Sequence, residues 1–394
     1  MSSRTRTLIG FAIVAIVLGF VPNVVEAFDA PTFYLTFLFS IFFWASQSSS
    51  WNILTGYSGY FSFGQGAWFG IGVYTTGVLA GRQGWNFVAT LPIAGLVAGA
   101  FGLFIGFVVF RVRRLSGEIF ALTTLAVAFV LASVARLSSF IDGGVGIFMT
   151  GTELPAFLGD AKTAIYRLIL LIALLTVLTS YLIYESRVGW GLFSIRDDEQ
   201  VANGLGVPTF RYKMVALGTN AFFAGLMGAV WSLRIGFITV EEVFNLRVPL
   251  FVILMSILGG MRHWMGPVVG AVIIFTLTDR LNSAGLQDLN QVLIGGLLIL
   301  LVLSVREGIY LRMRKRWLAS AVIFFGSMIV LTLFELTTSL VWTFSFALLL
   351  TVPMLIIPDT LWAKLTRRSP SKEPPAQPPE KGPEDPSEIE AMMP

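Results

Sequence analysis

Side chains able to act as nucleophiles or metal ligands are scarce in this chain of 394 residues. It holds no cysteine and a single histidine, His263, which excludes thiol chemistry, disulfides and sites built from several His or Cys ligands. No lysine follows a glycine, so the chain lacks the Gly-Lys pair of a phosphate-binding loop. We therefore predict no catalytic residues, no metal site and no cofactor, and a protein that is not an enzyme.

Uncharged polar side chains are the remaining candidates for function. The stretch "LTGYSGYFSFGQGAWFGIGVYTTGVLA", residues 54–80, is apolar but carries seven glycines together with Ser62 and Gln65. Irregular backbone and polar groups are tolerated at membrane depth where they line a cavity. We predict that the first half of this stretch is a broken helix beside a translocation path for a small polar solute, formed by Asn52, Ser62, Gln65, Thr123 and Thr124.

The remaining glycines predict close packing between helices. Pairs of small residues four positions apart lie on one helix face and let two backbones approach each other. Such pairs are Gly66 with Gly70, Gly95 with Gly99, Gly102 with Gly106 and Gly266 with Gly270.

Composition defines the elements that must position these residues. Hydrophobic residues make up 55% of the chain, charged residues only 13%, and the mean hydropathy is +0.79. These values predict an all-α polytopic membrane helix bundle with about 10–12 transmembrane segments, some broken or short. The net charge is only +4 and the basic residues form short clusters between apolar runs, which indicates a lipid environment and no nucleic-acid partner.

The predicted segments follow from apolar runs of roughly 20 residues. The eighth and ninth are short and closely spaced, so they are either two spans or a broken, re-entrant pair. The segments are 8–25, 33–54, 62–80, 88–110, 118–137, 164–184, 212–233, 248–260, 266–279, 291–304, 317–334 and 341–357.

The distribution of Lys and Arg predicts orientation. Most of the 27 basic residues fall in loops on one side of this arrangement, and such a bias marks the cytoplasmic side. We predict cytoplasmic N- and C-termini. The predicted divisions are a transmembrane domain over 1–308, additional C-terminal transmembrane helices over 309–365 and a disordered, Pro-rich and charged cytoplasmic tail over 366–394.

The longest predicted inner loop contains a short helix. In "SIRDDEQVANGLGVP", Asp197 has the position of an N-cap with Gln200 three residues later, and the helix ends at Gly204, Gly206 and Pro208. A helix of two turns is unstable alone in water. We expect it to pack on another surface, either the chain's own loops or a partner.

Several stretches together resemble one family. "WNILTGYSGYFSFGQGAWFGIGVYTTGVL", "GEIFALTTLA", "SRVGWGLFSIRDDEQVANGLGVPTFRYKMVALGTNAFFAGLMGAV" and "LGGMRHWMGPVVGAVI" occur in the order found in branched-chain amino-acid ABC-importer permeases of the LivM type. The resemblance covers roughly 33–308.

This resemblance implies an inner-membrane permease subunit of a bacterial importer. Its partners would be two ATP-binding subunits, a second related permease and a periplasmic solute-binding protein, and the solute a branched-chain amino acid, a urea or amide, or a carboxylate. It also implies that the short cytoplasmic helix couples the permease to an ATP-binding subunit. The implied coupling residues are Arg196, Asp197, Asp198, Glu199, Gln200, Ala202, Gly204 and Leu205.

Two departures from the family pattern leave the solute undefined. Phe129 stands where relatives commonly place an acidic residue, and the Gly-rich outer stretch is shortened to residues 142–146. The alternative function is an ion-gradient-driven secondary transporter or channel, which would need no ATPase.

Overall fold

The protein is described from a computed structural model that covers residues 3–29, 31–111, 117–141, 143–149, 154–155, 159–285 and 308–333, with single residues at 296, 343, 347, 348 and 351. The predicted spans over 291–304 and 341–357, apart from those single residues, and the tail over 366–394 lie outside the described residues.

The described chain is almost entirely helical, which confirms the predicted all-α class. Its only strands are β1 (Ile147–Phe148) and β2 (Phe237–Ile238), an antiparallel pair. The helices are α1 (Ser3–Ala27), α2 (Phe33–Ser58), α3 (Gln65–Thr76, continued by a π-helical turn over Gly77–Arg82), α4 (Phe87–Val109), α5 (Gly117–Leu137), α6 (Ala161–Tyr184), α7 (Arg187–Asp197), α8 (Glu199–Gly204), α9 (Thr209–Ile235), α10 (Val240–Val243), α11 (Arg247–Gly259), α12 (Gly266–Ser283), α13 (Ile309–Lys315) and α14 (Trp317–Leu333).

Six stretches among the described residues are long and apolar enough to cross a membrane. This makes the chain a multi-pass membrane protein. The stretches are Arg4–Ala27, Phe87–Val109, Gly117–Leu137, Ala161–Tyr184, Thr209–Ile235 and Val240–Gly259.

The short pair predicted at 248–260 and 266–279 forms a helical hairpin. Val240–Gly259, which includes α10 and α11, is among the six candidate spans, whereas the 18-residue α12 is not. The two helices meet at Gly270, where an added Cβ would lie 1.8 Å from the carbonyl oxygen of Met255. No larger residue fits at Gly270 without moving the backbone, which confirms its predicted role in close helix packing.

Helix α2 forms the centre of the bundle. It packs against α6, α9, α11 and α12, and its polar run Ser46–Ser50 is fully buried. By contrast, α1 lies at the edge and exposes large apolar side chains such as Val17 and Phe20, which are 60% and 61% exposed. An apolar exposed face suits contact with lipid, whereas a buried run of Ser and Gln indicates a specialised interior.

Glycines hold α3 and α4 close to α9. A Cβ at Gly72 would lie 2.0 Å from the carbonyl oxygen of Gly225, and one at Gly102 would lie 2.5 Å from the Cβ of Ala221. These separations are shorter than real Cβ contacts, so the backbones meet at distances that only glycine permits. The predicted use of Gly102 in close packing is confirmed, and Gly72 adds a site that four-residue spacing did not reveal.

The connections fall into two groups at opposite ends of the bundle. At one end, β1 pairs with β2 and Arg136 forms a 2.8 Å ion pair with Glu241 of α10. At the other end, Arg262 lies 3.9 Å from Asp197. The second end carries α7 and α8, and it corresponds to the predicted cytoplasmic side.

Candidate translocation path and the α7–α8 helix pair

The chain breaks between α2 and α3 and returns into the bundle. Helix α2 ends at Ser58, Gly59 takes a left-handed conformation with φ of 78°, and α3 begins only at Gln65. Gln65 contacts Gln47, which lies about 16 Å from the end of α2 at 1.5 Å per residue. We call residues 59–64 the connecting segment. It runs from the end of the bundle that carries α7 and α8 to the middle of α2, in agreement with the predicted broken helix.

Side chains of α2 and α5 form hydrogen bonds with backbone carbonyl and amide groups of the connecting segment. Trp51 Nε1 donates to the carbonyl oxygen of Ser62 at 2.7 Å, and Thr55 Oγ1 donates to that of Tyr60 at 2.9 Å. From α5, Thr124 Oγ1 accepts a 3.0 Å hydrogen bond from the amide of Phe63. Non-helical backbone is tolerated at membrane depth only when its polar groups are paired in this way.

A second polar group lies where α3 begins. Gln65 Nε2 donates to Gln47 Oε1 at 2.7 Å, to the Gln47 carbonyl oxygen at 3.2 Å and to Ser50 Oγ at 3.1 Å. Both glutamines are fully buried. Gln65 Oε1 and Gln47 Nε2 have no hydrogen-bond partner among the described residues, so one acceptor and one donor are left without partners in the interior.

Asn52 lies one helical turn before Gly56 and is also buried. Neither its Oδ1 nor its Nδ2 has a partner among the described residues, and Ser49 Oγ shares this property. A Cβ at Gly56 would collide with the Asn52 amide, so glycine leaves room for the side chain. An unpaired buried polar group costs about 1–3 kcal/mol. Such a group is satisfied when water or a polar solute reaches it.

The structure brings Ser62, Gln65 and Thr124 together in or beside the connecting segment, where all three are fully buried. Asn52 is also fully buried, but it lies on the side of α2 next to Gly56, and among the described residues its side chain makes no hydrogen bond to the connecting segment. Thr123, in contrast, is only partly buried, and its hydroxyl donates back to the carbonyl oxygen of Ile119 at 2.8 Å.

Sequence reasoning missed Gln47 and Ser49. The signal was present as "SQSSS" inside an apolar run, a density of polar residues that a lipid-facing helix would not carry.

The loop between α6 and α9 contains two helices, α7 and α8, and the predicted N-cap was wrong by one residue. Asp197 is the last residue of α7. Asp198 has extended backbone, with φ of −161° and ψ of 111°, and its Oδ1 accepts from the amides of Gln200 and Val201 at 2.8 and 3.0 Å. Because Asp197 remains helical, its carboxylate cannot turn back over the next helix, and Asp198 caps α8 instead.

Helix α8 packs on the chain's own polar groups. Glu199 Oε1 lies 2.5 Å from Lys213 Nζ of α9, and its second oxygen accepts a short hydrogen bond from the hydroxyl of Tyr60. Burial, followed by the contact with Glu199, raises the pKa of the Tyr60 phenol. This keeps the hydroxyl protonated as the donor. Arg196, near the end of α7, donates to the carbonyl oxygen of Gly56.

The opposite surface of the helix pair exposes large apolar side chains among polar ones, which include Asp197, Asp198 and Gln200. Trp190 is 71% exposed, Val201 58% and Leu205 80%, whereas Ala202 is buried against the bundle. Gln200, Gly204 and Leu205, among the predicted coupling residues, lie on the exposed side. Large apolar side chains in a water-facing helix pair favour a protein partner.

A multi-pass helix bundle with buried, partly unpaired polar side chains suits a membrane transport protein. The family described as "Branched-chain amino acid transport system / permease component" matches residues 33–302, and the chain belongs to this family. The resemblance seen in the sequence is thereby confirmed.

Two curated relatives carry the same description. The "High-affinity branched-chain amino acid transport system permease protein LivM" of Escherichia coli (strain K12) is 27% identical over 283 residues, which cover 66% of this chain and 65% of that protein. The LivM protein of Salmonella typhimurium (strain LT2) is 28% identical over 283 residues, which again cover 66% of this chain and 65% of that protein. The chain thus matches just under two thirds of the length of these relatives. No solved structure matches the chain.

Proposed function

We propose that the chain is the transmembrane permease subunit of an ATP-driven importer in the bacterial inner membrane, with its α7–α8 side in the cytoplasm. It would pair with a second related permease, bind two ATP-binding subunits and receive a small polar solute from a periplasmic binding protein. Branched-chain amino acids are the first solutes to test because the relatives' printed names specify them. A urea or amide and a carboxylate are the other classes.

The apolar surface of α7 and α8 carries this proposal. Leu205 is 80% exposed on a helix that the bundle fixes through Glu199, so the exposed side is presented in a defined orientation. A fixed, exposed apolar surface on the same side as the basic clusters suits an ATP-binding subunit, which would drive the cycle from the cytoplasm.

The buried polar groups support a neutral path. Asn52, Gln47 and Gln65 provide amide donors and acceptors without charge, and Ser62 and Thr124 add hydroxyls. An uncharged interior gives little attraction to a free ion, whereas amides can exchange hydrogen bonds with a zwitterion or a neutral amide. Thr123 is the weakest member of the path, since it faces away from the connecting segment.

Reconstitution tests the energy source. The chain is assembled in proteoliposomes with its ATP-binding subunits, partner permease and binding protein, and uptake of radiolabelled leucine, urea and acetate is measured with and without ATP. We expect uptake that requires both ATP and the binding protein. Uptake by this chain alone, driven by a proton or sodium gradient, would establish the secondary-transporter alternative instead.

A charge on the exposed surface tests the partner assignment. Leu205→Asp should abolish co-purification with the ATP-binding subunits because it buries a carboxylate in the interface. Val145→Asp is the matched control, since Val145 is also 80% exposed but lies at the opposite end of the bundle. If both variants co-purified with as much ATP-binding subunit as the wild type does, this docking surface would be refuted.

A further inference from the structure

Tyr60, Glu199 and Lys213 form a buried polar group that joins three elements; we call it the Tyr60 cluster. Tyr60 belongs to the connecting segment, Glu199 begins α8 and Lys213 lies near the start of α9. Lys213 Nζ is 2.5 Å from Glu199 Oε1 and 3.3 Å from the Tyr60 hydroxyl, and that hydroxyl donates to the other Glu199 oxygen. Each group therefore contacts the other two.

Burial makes this cluster difficult to separate. The Lys213 side chain is 5% exposed and that of Glu199 31%. The ammonium also lies over the rings of Tyr60 and Phe110, at 4.7 and 4.9 Å from their centroids. Separating α8 from Tyr60 would leave the buried Lys213 ammonium without its full set of partners, which is costly in a low-dielectric interior. Displacement of α8 should therefore move Tyr60 with it.

A second attachment holds the chain at the same end of the connecting segment. Arg196 donates to the carbonyl oxygen of Gly56, and its Cγ would lie 3.1 Å from a Cβ at Gly59. The cytoplasmic helix pair thus contacts the chain just before and just after Gly59. The connecting segment leads into Gln65, the first residue of α3, whose amide bonds to Gln47 in the polar interior.

We propose that the Tyr60 cluster transmits movement of α8 to the connecting segment and so repositions Ser62 and Gln65 in the translocation path. This rests on the proposed function. Tyr60, Glu199 and Lys213 are positioning residues, since they act through the backbone that they hold. The connecting segment suits this role because side chains, and no helical ladder, supply its hydrogen bonds, so it can exchange partners between two arrangements.

Tyr60→Phe is the most selective test. It removes the hydroxyl that bridges Glu199 and Lys213 but retains the ring under the ammonium. Tyr212→Phe is the control: it removes a phenol hydroxyl one residue before Lys213, outside the cluster. The measurements are solute imported per ATP hydrolysed by the assembled complex, and co-purification of the ATP-binding subunits.

We expect Tyr60→Phe to lower the ratio of transport to hydrolysis about fivefold or more, with normal co-purification and continued hydrolysis. Tyr212→Phe should keep the wild-type ratio. Glu199→Gln, which retains an acceptor for Tyr60 but loses the ion pair, should lower the ratio as well. A purely structural role would instead reduce complex yield, hydrolysis and transport together.

The outcomes separate the two proposals. Suppose that the wild-type complex shows ATP-driven uptake. If Tyr60→Phe then keeps the wild-type ratio of solute imported to ATP hydrolysed, or changes only the complex yield, the transmitting role of the cluster is refuted. The proposed function stands in that case. If the wild-type complex binds ATP-binding subunits but takes up no solute with ATP, the proposed function is refuted, and the role of the cluster with it.

Discussion

Gln65 Nε2 donates to Gln47 Oε1 over 2.7 Å, and both side chains are fully buried between α3 and α2. This hydrogen bond joins the end of the connecting segment to the middle of the central helix. It leaves Gln65 Oε1 and Gln47 Nε2 without partners among the described residues. The pair therefore holds two helices together and also leaves one acceptor and one donor unpaired in the interior.

Replacing Gln65 should impair transport more than assembly. Gln65→Leu removes the acceptor and the bridge to Gln47, so we expect solute uptake to fall about tenfold, as for loss of a hydrogen bond worth roughly 1.4 kcal/mol. Complex yield should stay near that of the wild type because leucine packs well in an apolar helix. Gln83→Leu is the control, since Gln83 is exposed just after the π-helical turn. Equal uptake by both variants would leave Gln65 with only a packing role.

Asn52 should show opposite effects on stability and on transport. Both its amide atoms are buried without partners among the described residues, and an unpaired group costs about 1–3 kcal/mol. Asn52→Leu is similar in shape and removes that cost, so the melting temperature in detergent should rise while uptake falls. A lower melting temperature would show that the amide is satisfied in the folded protein, which would remove the argument for a path at this position.

Local features of the site could be predicted from the sequence, and tertiary contacts could not. The glycines and Ser62 predicted the break after α2, because glycine forms helices poorly and a serine hydroxyl needs a hydrogen-bond partner in lipid. The capping aspartate was misplaced because Asp197 and Asp198 are equivalent as residue types; only the backbone at Asp198 distinguishes them.

The Tyr60 cluster had no local signal. Tyr60 and Lys213 lie far apart in sequence, and their pairing depends on how α9 packs against the connecting segment. Similarly, Gln47 and Gln65 become partners only when α3 returns to the level of the middle of α2.

His263 predicts a pH dependence of stability. Its ring stacks on that of Tyr310 at 4.4 Å, and its Nδ1 accepts from the amide of Met265 at 3.1 Å. Burial, together with the nearby Arg314, lowers its pKa to about 4 from its ordinary value of 6.5. Between these two values the unfolded chain binds more protons than the folded protein, so stability falls as the pH is lowered from 6.5 to 4.

The variant His263→Phe isolates this contribution. Phenylalanine retains an aromatic ring against Tyr310 but cannot be protonated. Carboxylates also titrate in this range, so the informative quantity is the difference between the two melting curves measured at each pH. We expect the wild type to lose several degrees more than the variant between pH 6.5 and 4.5. Parallel curves would contradict a buried, neutral His263.

The crossing of α3 and α9 should be intolerant of a single methyl group. A Cβ at Gly72 would lie 2.0 Å from the carbonyl oxygen of Gly225. Backbone atoms cannot rotate away as a flexible side chain can, so Gly72→Ala must push the helices apart. Overpacking of this kind costs about 1–3 kcal/mol, and the melting temperature should fall.

Gly10→Ala provides the matched comparison because its effect on the melting temperature should have the opposite sign. Gly10 also lies within a helix, α1, but nothing lies within 4 Å of a Cβ placed there. Alanine is favoured over glycine in a helix interior by about 0.5–1 kcal/mol, so this variant should melt at or above the wild-type temperature. If Gly72→Ala also melted at or above the wild-type temperature, the contact with Gly225 would not be as close as the structure shows. If Gly72→Ala is destabilised and Gly10→Ala is not, the close backbone contact between α3 and α9 is the reason for glycine at position 72. A general preference for glycine in these helices would then be excluded.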